Sequence, residues 1–325
     1  MHISFLPMVV SMIYLGASLF ILVRSSELFL AGAKHIGSSF GLSKFTIGVL
    51  IVALGTSLPE LASSIFAVLQ GSPEVVIASV VGSNVTNILL IVGLLAVVSG
   101  KITVHQELIK TELPIFFIAT ALFIVMLSDA VIDRVEGGFL TLTFVVFAWY
   151  LFSEARLAKK IHNENVRAKK HPHIQIDYKS ILYVLVGIVG VLVGAHYTVD
   201  MTVAIATSLF VPVGLISIAA LSIGASIPEL FVSLHALKEG EVELAVGNIF
   251  GSNVFNILVV AGIPAIFAPI TVEPLIMNVG VPILIAASAI FFVTGLSKQV
   301  LRWEGIMMLL FFVFFVIKLT VYSGL

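Results

Sequence analysis

Ten apolar runs, each long enough to cross a bilayer, leave this chain almost no way to fold in water. They lie near residues 5–24, 45–70, 75–99, 108–128, 135–155, 179–199, 212–237, 244–267, 273–296 and 303–323, and a spanning helix needs about 20 mostly apolar residues. Of the 325 residues, 59% are hydrophobic and 11% charged, against about a quarter charged in an ordinary soluble domain. A soluble core of this size has nowhere to hide so much apolar surface, so most of it must face lipid. The expected fold class is an all-α polytopic membrane protein of ten transmembrane helices. The first run has no Lys or Arg ahead of it in Met1–Pro7, so it is expected to stay as a helix and not to be a cleaved signal peptide.

One long polar stretch, residues 156–179, divides the helices five and five. The expected organisation is therefore a first unit over 1–155, a basic loop over 156–179 and a second unit over 180–325. Lys and Arg collect on the cytoplasmic side of membrane proteins. With the central loop inside, fifteen of the seventeen basic residues fall on that side, and only Arg134 and Lys318 do not. Lys34 and Lys44 are placed in the first inner connection, Arg24 at the inner end of the first helix, and both termini outside. His162, His171 and His173 of the central loop read as scattered histidines, and Glu239, Glu241 and Glu243 as a solvated turn. His196 and His235 read as interfacial, near helix ends.

The two units share a motif. Residues 55–90 and 224–259 align without a gap at a constant offset of 169, with 16 of 36 positions identical. Shared apolar residues mean little in membrane helices, but the identities include Gly55/Gly224, Ser57/Ser226, Pro59/Pro228, Glu60/Glu229, Ser83/Ser252, Asn84/Asn253 and Asn87/Asn256. Five helices is an odd number, so the second unit enters the membrane from the opposite face. This is inverted-topology duplication, a plan of secondary transporters with the site near the midplane, where the repeats meet.

Glu60 and Glu229 fall near the centres of the second and seventh spans. A charge there costs at least about 2.5 kcal/mol, and no Lys or Arg lies at comparable depth to pair with it. Ala53, Ser57 and Glu60 share one helical face, with Thr56 and Ser64 beside it; Ser222, Ser226, Glu229 and Ser233 match them in the second unit. Pro59 and Pro228 each free a carbonyl four residues earlier. Ser83/Asn87 and Ser252/Asn256 repeat the i, i+4 spacing, while Gly82 and Gly251, with Ala78 and Gly247, allow close helix approach. Every donor is a hard oxygen, which suits Ca²⁺ or alkali cations better than zinc or copper.

GTSLPEL, GASIPEL and the two GSNVxNI segments resemble the α-repeats of the calcium/cation antiporter superfamily, most closely its prokaryotic sodium/calcium exchanger branch. The resemblance implies that Glu60 and Glu229 bind Ca²⁺ and Na⁺ in alternation. They would be aided by Thr56, Ser57, Ser226, Asn87, Asn256, Ser83 and Ser252 and by the carbonyls of Ala53 and Ser222. It also implies that the first and sixth helices slide to alternate access. Two departures stand out: Asn256 where some relatives carry aspartate, and Ala225 where threonine is usual. H⁺ and K⁺ stay open as driving ions, and a passive cation channel is the rival reading. The expected partners are Ca²⁺, Na⁺ (or H⁺) and the lipid bilayer, with no nucleic acid and no obligate protein partner. No cofactor is expected. Nor is an enzyme, since the spans hold no HExxH, aspartate pair or nucleophile–His arrangement. The expected location is a prokaryotic inner membrane.

Overall fold

In lipid, backbone amides must be satisfied within the segment, so each apolar run becomes a helix. The computed structural model describes residues 5–103, 106–165, 177–208 and 223–322. The helices are α1 (Phe5–Phe40), α2 (Lys44–Leu69), α3 (Glu74–Ser99), α4 (Gln106–Met126), α5 (Arg134–Asn165), α6 (Tyr178–Ser208), α7 (Ile227–Lys238), α8 (Val242–Phe267), α9 (Ile276–Leu296) and α10 (Arg302–Tyr322). Among the described residues nine helices are long and apolar enough to span a membrane. The expected span at 212–237 is described only from residue 223.

Three boundaries correct the sequence reading. α1 runs to Phe40 and not to residue 24, which puts Arg24 and Lys34 inside a helix instead of at its end and in a loop. Arg24 is accommodated by an ion pair with Glu27 at 2.9 Å and by the ring of Phe20, 5.6 Å away. α6 likewise runs to Ser208, beyond the expected residue 199. α5 continues to Asn165, so the first part of the expected polar loop is helical; residues 166–176, with His171 and His173, lie outside the described residues, as does the side chain of His162. At 31 residues the span of α1 exceeds the roughly 20 that a bilayer needs.

α1 and α6 pair along their length because glycines remove the side chains between them. A Cβ on Gly187 would come within 2.6 Å of the Phe29 Cα, and one on Gly194 within 2.9 Å of the Leu22 Cα. α8 crosses α2 in the same way: a Cβ on Gly251 would meet the Val49 Cα at 2.7 Å, and one on Gly247 the Phe45 carbonyl at 2.4 Å.

Two short antiparallel ribbons tie the halves together. β1 (Lys101–Thr103) pairs with β4 (Gln299–Leu301), and β2 (Val131–Ile132) pairs with β3 (Ile270–Thr271). Ion pairs join the same ends of the bundle: Lys34 hydrogen-bonds Glu239, and Lys44 meets Glu241 at 2.6 Å. Phe45, Val246, Ile102 and Val300 line one small apolar cavity of about 50 Å³, placing these ion pairs and the β1–β4 ribbon on one face, here called the basic face. Glu239 and Glu241 are thus ion-paired, not merely solvated. Lys34 holds the Glu239 carboxyl below the ordinary carboxylate range.

Correspondences at the offset of 169 hold in local structure as well as in sequence. Gly71 and Gly240 end α2 and α7 with φ of 82° and 77°, a region costly for any residue with a Cβ. The turns share their bonds: the Gly71 and Gly240 amides donate to Val68 and Leu237, and those of Ser72 and Glu241 to Ala67 and Ala236. α3 and α8 each carry a π-helical stretch, Thr86–Val92 and Asn256–Val260.

Candidate cation site

Glu60 lies in the middle of α2, one residue after Pro59, and the helix is continuous through that proline. In the second half the chain breaks instead. Ile223 and Gly224 are helical, Ala225 and Ser226 form a turn, and α7 restarts at Ile227 with Pro228 in its first turn, where a missing amide costs nothing. Both glutamates are buried, at 5% and 1% exposure.

Their surroundings interlock. Ser57 of α2 donates to Glu229 Oε1 at 3.1 Å, and Thr56 of α2 and Ser252 of α8 also lie against Glu229. Ser83 of α3 donates to Glu60 Oε1 at 2.6 Å, and Asn256 of α8 lies beside Glu60. Each carboxyl therefore touches the opposite half of the chain. The Thr56 hydroxyl is also held by the carbonyls of Val52 and Ala53, at 3.3 and 3.2 Å.

Other polar atoms are buried without a well-formed hydrogen bond: Oε2 of both glutamates, the hydroxyls of Ser226 and Ser252, and the amide atoms of Asn87 and Asn256. Leaving one such group unsatisfied costs about 1–3 kcal/mol, a cost that a ligand held by them would relieve. Asn87 and Asn256 sit in the π-helical stretches, a geometry frequent at functional sites that has no sequence period to reveal it. Among the described residues no three His, Cys, Asp or Glu come together, leaving two carboxylates in a setting of neutral oxygens.

Of the positions singled out in the sequence, Thr56, Ser57, Glu60, Ser83, Ser252, Asn256 and Glu229 are brought together here. Ala53 and Asn87 are buried on the same helices, Ser226 is buried in the turn before α7, and Ser222 lies outside the described residues. Sequence comparison missed Asn248. This buried α8 residue donates to Ser233 Oγ at 2.9 Å and, more weakly, to the Glu229 carbonyl at 3.4 Å. Its counterpart in the first half is Ser79, so matching identities passed over it.

A cavity of about 310 Å³ leads to Glu60, lined by Pro59, Ser63, Ser79, His196, Val199 and Gly224 among others. His196 therefore faces this passage from within α6 and is not an end-of-helix residue; it pairs with Asp200 at 3.3 Å. The corresponding side of Glu229 is closed, with Val232, Ser233 and Asn248 fully buried.

A family described as sodium/calcium exchanger protein matches residues 10–153 and 179–321. The sodium/calcium exchanger MaX1 of Methanosarcina acetivorans is 30% identical, covering 95% of this chain and 98% of its own. The inner membrane protein YrbG of Escherichia coli is 29% identical, over 84% and 85%. Among solved structures, the sodium-calcium exchanger NCX_Mj superposes with a TM-score of 0.78 at 27% identity, covering 94% of this chain and 97% of that one. These exchangers are transporters and not enzymes, in line with what the spans of this chain lead one to expect.

Proposed function

The chain belongs to the sodium/calcium exchanger protein family, and on that premise we propose that it is a secondary antiporter exchanging Ca²⁺ for Na⁺ by alternating access. The ions compete for one site built around Glu60 and Glu229. The observation that carries this reading is the crossed contact of the two halves: Ser57 of α2 bonds Glu229 while Asn256 of α8 sits beside Glu60. Neither carboxyl has a private pocket. A cation bound to one is bound by the other, so two kinds of ion exclude each other, and exclusion at a shared site is what couples their movement.

Calcium takes six to eight oxygens in a flexible shell. The two carboxyls, with Thr56, Ser57, Ser83, Ser226, Ser252, Asn87, Asn256 and the carbonyls of Ala53 and Ser222, supply that number from both halves of the chain. Two carboxylates neutralise one Ca²⁺; three Na⁺ on the same groups leave one positive charge, making 3:1 exchange electrogenic. With Asn256 in place of an acid there is no third negative charge to cancel it.

The halves are read as inverted repeats. This is supported by the shared turns at Gly71 and Gly240 and by β1 and β4 pairing on one face while β3 and β2, one offset away, pair elsewhere. The basic face is taken as cytoplasmic, with both termini on the other side of a prokaryotic inner membrane. The glycine-lined α1–α6 pair is the unit that slides.

⁴⁵Ca²⁺ uptake into proteoliposomes, with Na⁺, H⁺ and K⁺ gradients imposed one at a time, tests the reading. An outward Na⁺ gradient should drive uptake and shift the membrane potential. Uptake driven only by H⁺ or K⁺ would change the partner ion, and uptake indifferent to every gradient would mean a channel.

A further inference from the structure

The two approaches to the glutamates are built from corresponding residues, yet one is open and the other shut. On the Glu60 side, Ser63 and Ser79 line the cavity of about 310 Å³. On the Glu229 side, the counterparts Val232 and Asn248 are both at 0% exposure. The exchange of serine for asparagine accounts for the difference in chemistry. The Asn248 amide spans from α8 to α7, bonding Ser233 Oγ at 2.9 Å and reaching the Glu229 carbonyl. That carbonyl accepts and never donates, which fixes the NH₂ group toward α7 and leaves Oδ1 as the remaining atom. Oδ1 is buried, and no protein donor reaches it.

We infer that Asn248 is a positioning residue that seals the approach to Glu229 from the basic face by latching α8 to α7, and that Ser79, too short for that reach, leaves the opposite approach open. The inference rests on the antiport reading, since only a carrier with alternating access needs one approach closed while the other is open. The latch has a built-in weakness. Its two bonds hold the closed form, while the unsatisfied Oδ1 penalises it; opening lets that oxygen hydrogen-bond to water. A seal of this kind holds without locking. The Phe29 ring, which a Cβ on Gly55 would approach to 2.6 Å, adds bulk from α1 on the same side.

The chain has no cysteine, so single reporters can be placed on the full-length protein. Ser63→Cys and Val232→Cys, at corresponding positions, are exposed to a cationic, membrane-impermeant methanethiosulfonate added to one face of proteoliposomes at a time. In the parent, Ser63→Cys should react from the face opposite the basic one and Val232→Cys only slowly from the basic face. Adding Asn248→Ser should raise the Val232→Cys rate from the basic face about tenfold, the scale of one lost buried hydrogen bond, and lower the Ser63→Cys rate. Ser233→Ala, a milder change that removes only the acceptor, should shift both rates in the same directions by less, and Ser79→Asn should slow Ser63→Cys. Unchanged rates with Asn248→Ser and Ser233→Ala, or a rise from both faces alike, would overturn the seal. Labelling needs no ion flux, so the two readings fail separately. A shift in rates without exchange removes the antiporter, whereas exchange with unshifted rates removes only the seal.

Discussion

The α2–α3 and α7–α8 hairpins share a motif but not its environment. At the shared positions, Glu60/Glu229, Ser57/Ser226 and Ser83/Ser252, all six side chains are buried. At unshared ones the halves part: Ser79 lines a cavity while Asn248 is sealed in, and α2 runs straight through its proline while the second half breaks at Ala225–Ser226. The lesson is a division of labour. Identities across the repeat gather at the two buried glutamates, and the Ser79/Asn248 difference falls where one side is lined by a cavity and the other is buried.

That division can be broken most visibly at the helix contacts. A Cβ at Gly55 would fall 2.6 Å from the buried Phe29 ring, whereas one at Gly224 would meet Val199 at 3.1 Å beside the cavity. Overpacking of this kind costs about 1–3 kcal/mol. Gly55→Ala should therefore lower the melting temperature clearly in a fluorescence-based unfolding assay, and Gly224→Ala should lower it little. Equal losses would show that the two halves are packed alike.

A second test sharpens the comparison at the ligands. Ser57 donates to the carboxyl of Glu229, and the Ser226 hydroxyl has no hydrogen-bond partner among the protein atoms. Without Ca²⁺, Ser57→Ala should destabilise the protein by about 0.5–1.5 kcal/mol, the net worth of one intramolecular hydrogen bond, and Ser226→Ala should be neutral or slightly stabilising. Both should weaken Ca²⁺ binding several-fold in calorimetric titration. A Ser226→Ala protein with full affinity would remove that residue from the cage.

The smallest effect belongs to the ion pair at the basic face. Lys34 depresses the Glu239 carboxyl, so the pair's contribution is present above the ordinary glutamate range and is lost as pH falls through the depressed value. The glutamate side chain is 39% exposed, which limits the pair to about 0–1 kcal/mol and makes it salt-sensitive. Glu239→Gln should shift stability slightly at neutral pH and not at all in strong acid. An equal shift at both would assign the effect to packing.

The helical class, the repeat and the two glutamates were legible because each leaves a sequence signal: apolar length, a constant offset, and charge where none belongs. The reach of α1 was not, because Arg24 and Lys34 look like the end of a span. Glu27 and Glu239, which make them tolerable, are visible as partners only in three dimensions. Asn248 escaped for the opposite reason. Comparing the repeats by identity discards the positions where they differ, and its role arises from contact with Ser233 and the Glu229 backbone.

The central claim is that one cage is shared by two carboxyls, and equilibrium Ca²⁺ binding to the purified full-length protein tests it most directly. One Ca²⁺ should bind per chain, Na⁺ should displace it competitively, and Glu60→Gln or Glu229→Gln alone should abolish binding while each variant stays folded. Two Ca²⁺ per chain, with one surviving in each single variant, would mean separate sites and contradict the account.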